Sequence, residues 1–228
     1  MLRLGTAAAA AWLLLFAGCS SSSRSNSATA PTARTAPPAQ TALIRAATPP
    51  AAVTVAVQPS DVVRITNDLR LTAADLPPGA QPGPLEGTLS NEAAAVGFAS
   101  PTAVVTLMQQ TGRLGGIAQA LTTGDGATGA GVSIEVWRDA QGAQRYFAQY
   151  PRPEGPGQIT KITLPQPLGD ESFAYQIEQN GQITYAVNWR RGRLILGVGE
   201  RFPASQASLD KTLAIAQALD KKAAAEPQ

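Results

Sequence analysis

Asn180-Gly181 is the feature that most restricts what this chain can become. An Asn-Gly dipeptide supplies the two positive-φ residues of a type I′ turn, whose twist matches that of paired antiparallel strands. Apolar residues alternate with a period of two on either side, with Phe173, Tyr175 and Ile177 before it and Ile183, Tyr185, Val187 and Trp189 after it. Dipeptide and period together specify a hairpin, and the two alternating sets are expected to face one another. Arg191-Gly192 offers a second turn before Leu194, Leu196 and Val198. Strands are therefore expected at about 158–164, 172–179, 182–190 and 193–199.

Upstream, strands at about 114–122 and 131–138 flank the glycine-rich segment 124–131. That segment lacks the Lys-Ser/Thr of a phosphate loop and the alternating carboxylates of a calcium loop, and reads as a connector. In the second strand Val132, Ile134 and Val136 alternate with Ser133, Glu135 and Trp137, so Trp137 is either covered by a second layer or exposed as a contact. Ser100-Pro101 starts a helix with Val104, Leu107, Met108 and Thr111 on one face and Gly112 to close it. Asp139 caps another, striped by Ala140, Ala143, Tyr146, Phe147 and Tyr150 and stopped by Pro151 and Pro153. A last helix, at about 204–221, carries Leu209, Leu213, Ala216 and Leu219. Val63, Ile65, Leu69 and Leu71 suit one face of a strand, residues 71–79 a capped turn, and residues 80–99 a loop. The fold class is α+β: an antiparallel sheet of five to seven strands packed by two or three helices.

The 228 residues include no histidine, which removes imidazole metal sites and histidine-activated nucleophiles. Four of the eighteen Lys+Arg (Arg3, Arg24, Arg34 and Arg45) precede Asp61, and no acid does. The chain from Asp61 onward thus has sixteen acidic and fourteen basic residues, a balance that does not favour nucleic acid. Asp170-Glu171 reads as a turn, because neighbouring side chains on an extended segment point to opposite faces and share a proton or metal poorly. Arg190, Arg191 and Arg193 form either a solvated turn or a contact for an anionic ligand or lipid headgroup. Tyr146, Phe147, Tyr150, Tyr175, Tyr185 and Trp189 suit the core between helix and sheet, or a ligand cleft. No catalytic residue, metal ligand or cofactor is expected.

Residues 4–17 form an uncharged, mainly apolar stretch after Arg3. It is too short to cross a hydrocarbon core of about 30 Å as a helix. It ends in Phe16-Ala17-Gly18-Cys19, and Cys19 is the one cysteine of the protein. The pattern resembles the lipobox of bacterial lipoproteins, although Phe16 stands where leucine is usual. The resemblance implies a lipoprotein signal peptide at 1–18 and attachment of palmitate-type acyl chains to Cys19. A membrane contact through that lipid and an extracytoplasmic location follow. Residues 19–58, rich in Ser, Ala, Thr and Pro, read as a disordered tether spanning roughly 35 Å. The globular domain is expected at 59–222 and a disordered tail at 223–228.

Asp75-Leu-Pro-Pro-Gly79, Thr111-Gly-Arg113, Val136-Trp-Arg-Asp-Ala140, Leu168-Gly-Asp-Glu171 and Arg190-Arg-Gly-Arg-Leu194 occur in that order. This series is similar to exported bacterial domains of the PsbP-type and related α+β sandwiches, used as sensor or accessory modules. The resemblance implies a non-catalytic binding or accessory module for an unknown protein partner or small ligand. Two alternatives stand beside it: carriage of a lipid or other hydrophobic ligand, and a carboxylate-dependent hydrolase.

Overall fold

The computed structural model describes residues 58–96, 98–124, 127–150 and 157–227, with backbone alone at 84–87. The expected signal peptide and nearly all of the tether, Cys19 included, lie outside the described residues. So do Pro151 and Pro153.

Helix α1 (Pro59–Leu69) occupies the segment whose spacing suggested a strand. Pro59 stands at the first helical position, where its missing N–H is not needed, and the Gln58 backbone N–H donates to Asp61 Oδ2 at 3.0 Å. Val62, Ile65, Thr66 and Leu69 are buried, a set with helical spacing. Val63, which the strand reading turned inward, is 58% exposed.

The expected loop at 80–99 also contains structure, β1 (Ala80–Thr88) and α2 (Asn91–Ala95). Two prolines, Pro82 and Pro84, hid the strand. They are tolerated because β1 pairs only with β2 (Arg113–Thr123) at the edge of the sheet, through an irregular register. Helix α2 starts at Ser90, whose side chain accepts from the Ala93 N–H.

The helices read from caps are present as α3 (Pro101–Thr111) and α4 (Ala140–Ala148). Gly112 ends α3 at φ 81°, and Asp139 Oδ1 accepts from the Gly142 N–H at 2.7 Å. Ser100 makes no side-chain cap bond; its carbonyl oxygen accepts from the Val104 N–H at 3.1 Å.

Strand β3 (Gly129–Trp137) starts two residues before its expected position, so Gly129 and Gly131 belong to the ladder rather than to the connector. Then come β4 (Gln158–Ile162), β5 (Glu171–Gln179), β6 (Gln182–Arg191) and β7 (Leu194–Pro203). Arg191 lies in β6, not in the turn. The chain ends in α5 (Leu209–Ala225), after a short 3-10 turn at Ala204–Gln206. That helix crosses the expected start of the tail at 223, and both Ala223 and Glu226 are buried.

The fold is α+β. The described residues form a seven-stranded antiparallel sheet in the order β1-β2-β3-β7-β6-β5-β4, with five α-helices rather than two or three. Asn180 and Gly181 have φ of 52° and 71°, as the type I′ turn requires. A two-residue turn pairs an odd-numbered residue with an even-numbered one, and here Ile177 meets Thr184 while Val187 meets Ala174. Phe173, Tyr175 and Ile177 therefore lie on the opposite face from Ile183, Tyr185, Val187 and Trp189, contrary to the sequence reading.

Those two faces carry two cores. On one, Ile134, Val136, Val187, Trp189, Leu194 and Leu196 pack under α1 and α5. On the other, Trp137 and Ile195 pack under α2, α3 and α4 through Ala95, Met108, Ala143 and Tyr146. Covering both faces explains why β3 and β7 are buried along most of their length. Gln119, 1% exposed on the first face, is satisfied by exchanging bonds of 3.0 and 2.8 Å with the backbone of Leu71.

Candidate functional site

The charged motifs that stand out in the sequence are partners of one another. Arg190 Nη1 donates to Asp170 Oδ2 at 2.7 Å and Nη2 to Glu171 Oε1 at 2.9 Å. Adjacent carboxylates reach one guanidinium because Asp170 precedes β5 in a bend and Glu171 is its first residue, paired across the ladder with Arg190. Arg191 holds Asp220 of α5 through bonds of 2.8 and 2.7 Å, and the Trp189 indole N–H donates to the same carboxylate at 2.9 Å. The Asp220 hydrogen bond raises the Arg191 pKa against the opposing effect of burial. Arg193 lies 3.7 Å from Glu226. The solvated-turn and anion-receiver readings of the three arginines both give way to internal ion pairing. No group of three or more His, Cys, Asp or Glu side chains able to hold a metal occurs among the described residues.

A different cluster lies between the sheet and the α2–α4 layer. Arg113 is the first residue of β2, directly after the left-handed Gly112. Its side chain is 0% exposed, and Nε donates to Glu135 Oε2 at 2.7 Å. Nη1 donates to the Leu89 carbonyl at 3.2 Å and to Asn91 Oδ1 at 2.9 Å, which ties the start of α2 to the sheet. Gly116, opposite Glu135 in the ladder, makes room: a Cβ there would lie 3.2 Å from Arg113 Nη2. Nη2 is buried and has no hydrogen-bond partner among the described residues.

Trp137, left open by the sequence, is fully buried beside this pair. Its indole N–H donates to Thr111 Oγ1 at 3.2 Å, and its ring centroid lies 4.9 Å from that of Tyr146. The close crossing of α3 and α4 depends on Gly142, where a Cβ would fall 2.1 Å from the Thr111 carbonyl oxygen. Tyr146 is buried too, and its hydroxyl has no partner among the described residues. Burial first, then Tyr150 and Glu135, push its pKa far above the usual tyrosine range, while Arg113 opposes them. Tyr150 is shifted the same way, again mainly by burial. Both phenols stay protonated throughout the physiological range.

Of the aromatic residues considered for a cleft, Tyr146, Phe147 and Tyr150 form one connected group with Phe173. Trp189 lies in the opposite core, and Tyr185 contacts Phe202. Sequence reasoning did not single out Arg113 or Glu135 as a pair. The signal was Glu135 itself, a charge sharing a strand face with Trp137; once that face is covered, a counter-charge is needed. Beyond the helices the same sheet face continues in small side chains, including Ala118, Ser133, Ala186 and Gly197.

No family model matches the sequence, and no curated protein matches it. Among solved structures, the extracellular domain of PknH from Mycobacterium tuberculosis aligns with a TM-score of 0.42 and 10% identity. That alignment covers 75% of this chain and 98% of the other. No helix among the described residues is long and apolar enough to cross a membrane.

Proposed function

We propose that this chain is an extracytoplasmic lipoprotein, held at a bacterial membrane by acyl chains on Cys19, whose α+β domain is a non-catalytic binding module. The anchoring half rests on sequence. A single cysteine follows an apolar stretch and Ala17-Gly18, and a Ser/Ala/Thr/Pro-rich segment separates it from the first helix. Two or three acyl chains give stable attachment where one would be reversible. The likeness of the Asp75–Gly79, Leu168–Glu171 and Arg190–Leu194 motifs to exported accessory domains belongs to the same reading.

The binding half rests on one observation, the pair of buried donors at Arg113 Nη2 and the Tyr146 hydroxyl. Buried donors without acceptors are uncommon in folded proteins, and each calls for an explanation, a bound water, an ion or a functional role among them. Carriage of a bulky lipid is less well supported. Trp137, Tyr146 and Met108 fill one helix–sheet interface, and Trp189, Leu196 and Leu219 fill the other.

Cys19→Ser tests the anchor. Wild-type protein expressed in its own membrane should incorporate radioactive palmitate and partition into the detergent phase. The serine variant should lose the label. Equal labelling of both forms would sink the lipoprotein assignment.

A further inference from the structure

We draw no further inference here: the strongest candidate, the patch of sheet face beyond α2–α4 where Ser133, Ala186, Gly197 and Gly199 lie beside Arg201, carries nothing, because nothing in the structure shows what covers it.

Discussion

Removing the Arg113 charge should cost more stability than removing any of the surface ion pairs, and removing Glu135 as well should restore most of it. In Arg113→Met the aliphatic length is kept, but Glu135, 8% exposed, is left without its counter-ion. The Leu89 carbonyl and Asn91 also lose their donor. Breaking a buried pair by deleting one partner costs about 3–5 kcal/mol, because the remaining charge is stranded. In a domain of this size that corresponds to a fall of roughly 6–20 °C in melting temperature. Replacing both charges with apolar groups of similar volume is often neutral or better. The double variant Arg113→Met/Glu135→Leu should therefore lie within about 2 kcal/mol of wild type. Urea denaturation followed by far-ultraviolet circular dichroism, on wild type, both single variants and the double, closes the cycle. Additive costs, with the double variant as unstable as the two singles combined, would refute the reasoning. So would an Arg113→Met loss below about 1 kcal/mol, the value of an exposed pair.

Three further predictions concern packing and pH. Gly169 sits at φ 55°, and a Cβ there would lie 2.2 Å from the Arg190 carbonyl oxygen, so Gly169→Ala should destabilise by more than about 2 kcal/mol in the same urea assay. Val63→Lys should change stability by less than about 0.5 kcal/mol, whereas Ile65→Lys should largely unfold the protein; comparably large losses at both positions would restore the strand reading of this segment. Asp75 is pushed upward by burial, but Thr72 and Lys222 outweigh this and hold its pKa below the ordinary value. Its contribution is thus present above the unfolded pKa, about 3.9, and lost as pH falls through the folded value. Asp75→Asn should lower the urea midpoint at neutral pH by an amount that shrinks toward zero in more acidic buffer, and a constant difference across that range would contradict the linkage.

The parts of the fold that could be read from sequence are those fixed by local chemistry. Asn180-Gly181, the Asp139 cap and the Gly112 stop each act through a backbone preference that holds in any context. The parts that were misread depend on partners far away in the chain. Val63, Ile65, Leu69 and Leu71 match a two-residue period as well as Val62, Ile65 and Leu69 match a helical one. Burial against the sheet and α5 decides between them. Edge strand β1 is held by its pairing with β2, although Pro82 and Pro84 argue against a strand locally. The hairpin was located correctly, but its faces were not, because counting alternate residues on each strand separately ignores the change of parity across a two-residue turn.

The same distinction governs the site. Asp170-Glu171 and the three arginines at 190–193 attract notice because like residues are adjacent in sequence. The fold uses that adjacency to join opposite charges across one hairpin and onto α5, leaving Arg190 and Arg191 matched, while Arg193 lies 3.7 Å from Glu226 and its Nε has no hydrogen-bond partner among the described residues. Arg113, Glu135 and Tyr146 are isolated from one another by more than ten residues in each case, and nothing local marks them as a set. They meet because β2 and β3 are adjacent strands and α4 folds back over the face that β3 presents. Chemistry assembled by topology leaves an indirect trace: a charge on a strand face that the fold must cover. Glu135 on the Trp137 face is that trace, and following it leads to the cluster whose donors remain unmatched.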